Sequence, residues 1–191
     1  MPSNKPIGIF DSGIGGLTIA HSISKLLPNE EIIFFGDTAH LPYGNKSAKA
    51  VKHYSDKIVE LLLKRSCKVV VIACNTASSV AYTAVNKKYG DRSIIMNVID
   101  PVVQYAVHKI QSQSIGIIGT KRTISSRAYP KKIKELDSTI EVSSMATPLL
   151  AQMIEEGFFN NNISKAVIND YLSRKTIRDV DSLILGCTHY P

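Results

Sequence analysis

No apolar run among the 191 residues approaches the roughly 20 needed to cross a bilayer, so no membrane-spanning helix is expected. The amino end, MPSNKPIGIF, leads straight into a strand-like run and lacks the apolar centre of a signal peptide. Cysteine is scarce. Its three copies form no disulfide framework, which points to reduced thiols and a cytoplasmic setting. No CxxC pair is present, which weighs against a zinc site. The net charge is +7, yet the basic residues are scattered in pairs such as Lys87-Lys88 and Lys121-Arg122. One denser group, Lys131, Lys132 and Lys134, lacks aromatic neighbours and reads as a solvated helix face. A nucleic-acid partner is therefore not expected, whereas a positive field suits a small anionic substrate.

What is present is an ordinary globular composition, 44% hydrophobic and 20% charged, enough for one large or two small domains. Two stretches nearly repeat each other: VVVIACNTAS, residues 69–78, and SLILGCTHYP, residues 182–191. Each is an aliphatic run followed by a small residue, a cysteine and polar groups. Such a run suits a strand buried on both faces of a parallel sheet. A cysteine just past it lies at the carboxyl edge, where open α/β folds place their ligands. Two such edges suggest two faces of one site.

In chain order, residues 7–10 read as a strand and Leu17, Ala20, Ile23, Ser24 and Leu27 as the periodic face of a helix. The glycine-rich turn between them carries Asp11, whose charge would repel a phosphate, so the turn suits an ammonium or the orientation of a base. A second strand is expected over 31–35, then a loop, GDTAHLPYGNKS, in which Tyr43 and Gly44 offer a phenol and a backbone N–H. Ser47 caps the next helix, with Val51, Tyr54, Ile58, Leu61 and Leu62 as its buried stripe. Cys67 packs as a small hydrophobe before the strand 69–73. A helix follows Cys74 as far as Gly90, a strand covers 93–99, and Asp100-Pro101 has cap and first-turn chemistry.

The second part opens with IGIIGT, matching the IGIFDS of the first, so Gly119-Thr120 falls where Asp11-Ser12 did. The spacing from Asp11 to Cys74 is close to that from Thr120 to Cys187. This pattern predicts a duplication of α/β units, 1–98 and 99–191, with mostly parallel right-handed connections. Between those ends, 141–146 reads as a strand and Thr147-Pro148 opens a helix bearing Leu149, Leu150, Met153 and Ile154. Residues 160–162 read as a polar turn, and Val167, Ile168, Tyr171 and Leu172 mark another helix.

These motifs together resemble glutamate racemase: Asp11-Ser12-Gly13-Ile14-Gly15-Gly16, Pro42-Tyr43-Gly44, Cys74-Asn75-Thr76-Ala77-Ser78, Gly119-Thr120 with Thr123, Glu155-Glu156-Gly157 and Cys187-Thr188-His189. The match is ordered, spans nearly the whole chain, and its two cysteine motifs are the specific part. The resemblance implies a cofactor-independent enzyme that interconverts L- and D-glutamate and supplies D-glutamate for peptidoglycan, built of two α/β domains with the site between them. It implies that Asp11 assists Cys74 and His189 assists Cys187, with Glu155 a polar partner of His189. Ser12, Tyr43, Gly44, Asn75, Thr76, Thr120 and Thr188 would hold the substrate. Members of the family usually continue past the second cysteine motif into a segment that completes the first domain. Without it, exposed apolar surface, a homodimer and low solubility or activity are expected.

The residues support this chemistry independently of the resemblance. Racemisation takes a proton from one face of Cα and returns one to the other, which two thiols do as base and acid. Other readings use the same residues: a metal hydrolase ligated by Cys74, Cys187 and His189 with Asp11, a redox pair of the two cysteines, an aspartate racemase, or a non-catalytic amino-acid-binding fragment. Against metal ligation stands the wide separation of the two thiols in sequence.

Overall fold

The structure is a computed structural model that describes residues 4–191; the first three residues of the amino-terminal stretch lie outside the described residues. The chain separates into two compact units, one ending at Val98 and the other covering Ile99–Pro191.

The first unit alternates strand and helix: β1 (Ile7–Asp11), α1 (Leu17–Leu26), β2 (Ile32–Gly36), α2 (Ala48–Lys64), β3 (Val69–Ile72), α3 (Asn75–Val80), α4 (Tyr82–Tyr89) and β4 (Ile94–Asn97). All pairings are parallel, in the order β2-β1-β3-β4. Because side chains alternate across a strand, Phe10, Val70 and Ile72 face one core layer with Val51, Leu62 and Val85. Ile7, Ile9 and Val71 face the other, with Ala20 of α1. Gly8 leaves room for Cys67: a Cβ there would lie 2.9 Å from its sulfur. Cys67 is buried, as a small hydrophobe would be.

Several local expectations shift. Along α2 the buried residues are Val51, Ser55, Ile58, Val59 and Leu62, whereas Leu61 is exposed and Tyr54 half-buried. Ser47 caps that helix, its side chain accepting from the Ala50 N–H. The helix expected after Cys74 is two helices that meet at Ala81, a residue with no side chain to spare for a polar partner and none of its surface exposed.

The second unit contains α5 (Ile99–Tyr105), β5 (Ser114–Gly119), α6 (Lys121–Ser125), α7 (Ala128–Leu136), β6 (Glu141–Ala146), α8 (Pro148–Glu155), α9 (Asn162–Ser173), α10 (Lys175–Arg178) and β7 (Ser182–Gly186). Its sheet is again parallel, in the order β6-β5-β7. Helix α5 starts one residue before Asp100-Pro101, because Ile99 is fully buried in this unit's core. Asp100 and Pro101 therefore lie in the first turn, where a carboxylate suits the helix dipole and a missing N–H costs no hydrogen bond. The Asn160–Asn162 segment is more than a turn. Asn161 caps α9 in a reciprocal box with Ser164, and Asn162 is already helical. Leu149 stays about half exposed on α8, and Ile168 and Leu172 are exposed on α9.

Strand register makes the duplication geometric. Ile7 pairs with Ile32 and Val69, and Ile115 pairs with Val142 and Ser182. Counting forward from these partners, Cys74 and Cys187 occupy equivalent positions, as do Asp11 and Gly119, and Asp37 and Thr147. The outer strands differ. In the first unit β3 is covered by β4, whereas β7 ends its sheet among the described residues and leaves Leu185 43% exposed. No helix among the described residues is long and apolar enough to cross a membrane.

Candidate active site

At the carboxyl edge of the first sheet, Cys74 leaves β3 and becomes the N-cap of α3. Its sulfur accepts from the Ala77 N–H at 3.4 Å, and its thiol donates to Ser12 Oγ at 3.5 Å. Asp11 is fully buried at the end of the adjacent β1, with Oδ2 accepting from Gly13 N–H at 3.0 Å. The glycine loop thus turns a backbone donor onto its own carboxylate. Gly16 makes this packing feasible: a Cβ there would lie 2.5 Å from the Asp11 Cβ and 3.1 Å from that of Ala73. Burial, and next the Asp11 carboxylate, push the Cys74 thiol up to about 11, while the Ser12 and Ala77 hydrogen bonds pull the other way. At neutral pH Cys74 is thus a proton donor. It becomes a base only when a cation or a hydrogen-bond donor offsets the neighbouring carboxylate.

The loop after β2 closes beside this thiol. Asp37, buried, accepts from the Tyr43 phenol at 2.6 Å and lies 2.7 Å from His40 Nδ1, and the His40 ring stacks on Tyr54. Burial, the Asp37 hydrogen bond and the nearby charges of Asp37 and Cys74 all raise the Tyr43 pKa, which keeps the phenol protonated. Tyr43 and Gly44 are both buried. Asn75 and Thr76, in the first turn of α3, are also buried.

At the second carboxyl edge the neighbours are of another kind. Cys187 follows β7 directly, is buried, and is succeeded by a turn closed by Tyr190 N–H to the Cys187 carbonyl at 3.3 Å. Its sulfur lies 3.5 Å from His189 Nδ1, and His189 Nε2 is hydrogen-bonded to Glu155 at the end of α8. This is a thiol–imidazole–carboxylate chain. The carboxylate at Nε2 orients the ring and leaves Nδ1 facing the sulfur. Thr188 is buried beside the thiol, and Thr120 caps α6 by accepting from Thr123 N–H at 3.2 Å. Gly186 keeps this edge tight, since a Cβ there would lie 2.8 Å from the Ile118 carbonyl.

Asp11, Ser12, Tyr43, Gly44, Asn75 and Thr76 thus gather with Cys74 in one unit, and Thr120, Thr188 and His189 with Cys187 in the other. Sequence reading passed over three groups. Asp37 directly follows β2, as a carboxylate at a strand end, and that placement was its signal. Thr147 holds the equivalent place after β6; it opens α8 as expected, but its side chain makes no cap hydrogen bond. Tyr190 was visible only as part of the second cysteine motif.

A family model described as Asp/Glu/Hydantoin racemase matches residues 17–191. A glutamate racemase from Chlorobaculum parvum is 42% identical over 191 residues, covering 100% of this chain and 70% of that protein. The crystal structure of glutamate racemase from Francisella tularensis in complex with D-glutamate superposes with a TM-score of 0.90 at 39% identity, over 98% of this chain and 70% of that one. A glutamate racemase isoform from Bacillus anthracis gives a TM-score of 0.92 at 37% identity, again over 98% of this chain and 70% of the other. With the match running through both cysteine-bearing edges, the chain belongs to the Asp/Glu/hydantoin racemase family, among its glutamate racemases, and is an amino-acid racemase.

Proposed function

We propose that this chain interconverts L- and D-glutamate without a cofactor, with Cys74 and Cys187 acting as base and acid on opposite faces of one Cα. The observation that supports it most is the register equivalence of the two thiols, each with its own set of proton-handling neighbours. A thiolate takes the Cα proton, the electron pair passes into the α-carboxylate, and the opposite thiol delivers its proton to the other face. The thiols finish with exchanged protonation states. Following the resemblance, Cys74 takes the proton from D-glutamate and Cys187 from L-glutamate. Asp11 assists the first, and His189, linked to Glu155, assists the second. The substrate's ammonium and carboxylates are held by Ser12, Tyr43, Gly44, Asn75, Thr76, Thr120 and Thr188, whose hydroxyl, amide and backbone groups supply donors and acceptors. An ammonium near Asp11 and Cys74 lowers the cost of the Cys74 thiolate, so substrate binding itself readies the base.

D-glutamate for peptidoglycan, made in the cytoplasm, is the product use that fits this reaction. The expected homodimer rests on the outward residues of β4, Ile94 and Met96, and light scattering at twice 20.9 kDa tests it. For the reaction itself, circular dichroism of L-glutamate with no added cofactor should decay to the zero signal of a racemate. An unchanged signal with folded protein overturns the proposal, and the same assay with L-aspartate reads substrate choice.

A further inference from the structure

The turn that carries Cys187 and His189 is not a helix, so something other than helical hydrogen bonds must fix the imidazole against the sulfur. Tyr190 is the next residue, and its side chain turns back into the unit, against Ile118, Met145, Tyr171 and Ile177. Its hydroxyl lies 2.7 Å from Thr147 Oγ1 and donates to the Thr147 carbonyl at 3.3 Å. Thr147 is itself fully buried and anchored, its N–H donating to the Gly119 carbonyl at 2.9 Å and its Oγ1 reaching the same oxygen at 3.3 Å. The first unit has a counterpart. Asp37, register-equivalent to Thr147, receives the Tyr43 phenol, and its N–H donates to the Asp11 carbonyl at 3.0 Å. Both cysteine-bearing edges thus tie a tyrosine, buried in the first unit and partly buried in the second, to the polar residue that follows the strand on the far side of the central one.

We propose that Tyr190 and Thr147 are positioning residues for the Cys187–His189 pair, their hydrogen bond fixing the turn so that Nδ1 stays at contact distance from the sulfur. This rests on the racemase reading above for its catalytic consequence, but its geometric content does not. A tyrosine hydroxyl bonded to a buried, doubly anchored threonine restricts the freedom of the three residues between it and β7. The ionisable groups facing Cys187 are His189 and Tyr190 on its own turn and Tyr129 on α7, with Glu155 acting through His189.

The test uses Tyr190→Phe, Thr147→Val, the double variant and Thr147→Ser in the full chain. Iodoacetamide labelling of each cysteine, followed across pH by mass spectrometry, separates thiol ionisation (the midpoint) from exposure (the limiting rate). In Tyr190→Phe and Thr147→Val the Cys187 midpoint should rise, because a loosened turn takes the imidazole nitrogen away from the sulfur and the thiolate loses that hydrogen-bond partner, while the Cys74 midpoint stays put. Thr147→Ser should restore it. Glutamate turnover should fall about five- to tenfold in kcat with little change in KM, and the double variant should be no worse than either single one. A Cys187 midpoint unmoved in both singles, an equal shift at Cys74, or additive losses in the double variant would overturn the proposal. Should wild-type protein fail to racemise glutamate, the functional reading falls, and the labelling arm still decides whether the tyrosine positions the pair.

Discussion

The two cysteine-bearing edges share the order and register of their three strands, the cysteine and a tyrosine tied to the residue after the neighbouring strand, but differ in what touches the sulfur. Cys74 caps a helix, touches a hydroxyl and a backbone N–H, and sits beside a buried carboxylate. Cys187 follows β7, the strand that ends its sheet among the described residues, and touches an imidazole backed by a carboxylate. Duplication therefore supplied two equivalent places for a thiol, and the surrounding residues gave them different chemical neighbours. The neighbouring carboxylate raises the Cys74 thiol, whereas the Cys187 sulfur has an imidazole nitrogen within hydrogen-bonding distance. Racemisation in either direction needs one thiol and one thiolate at the start of a turnover.

The largest effect should come from breaking one edge at a time. Cys74→Ser and Cys187→Ser should each lower racemisation by about 10²–10⁴-fold, because either change removes a base for one enantiomer and an acid for the other. A glutamate analogue with a β-leaving group needs only the base. Cys74→Ser should then still eliminate from the L-analogue and Cys187→Ser from the D-analogue, as measured by release of the leaving group. If both folded variants lose both enantiomers alike, the two edges act as one unit and the comparison fails.

Alkaline stability sharpens the contrast. The folded Cys74 thiol titrates near 11 against an unfolded value near 9.0. Its folded pKa is raised, so the contribution is fully present below about pH 9 and is lost as pH rises through about 11. The size is about 2–3 kcal/mol. Urea unfolding at pH 8 and at pH 11 should show a smaller drop for Cys74→Ser than for wild type. Equal drops would mean that the thiol is solvated in the folded protein.

Space distinguishes the edges as well. Gly16→Ala places a methyl against the Asp11 Cβ at 2.5 Å, and should cost about 1–3 kcal/mol while also lowering activity. At Gly119, the register counterpart of Asp11, an added Cβ meets the Gly186 carbonyl at 3.0 Å, so Gly119→Ala should be the milder change. Thermal melts of the two variants check the order. The smallest effect concerns caps. Ser47→Ala and Thr120→Ala each remove an N-cap oxygen and should cost about 1 kcal/mol. Only Thr120→Ala should also raise KM for glutamate, since Ser47 lies on α2 and has no proposed contact with substrate.

The parallel α/β class, the repeated unit and both strand-end cysteines were legible because each is written in consecutive residues: an aliphatic run, a small residue, a thiol. The Ser47 cap was legible for the same reason. Where the reading slipped, the deciding contacts lay elsewhere in the chain. Leu61 and Tyr54 match the helical period as well as Ser55 and Val59 do, yet the sheet selects the latter two for burial. Asp100-Pro101 has good cap chemistry, but burial of Ile99 moved the helix start back by one residue.

By itself, then, the sequence determined the kinds of element, their order and the chemical groups delivered to each strand end, since local sterics and the spacing of apolar residues act over a few positions. It did not determine what those groups meet. That the Cys74 thiol reaches Ser12 and that Tyr190 reaches back to Thr147 follow from strand order and register. Those are set by packing of both sheet faces at once, a condition that no single stretch of the chain contains.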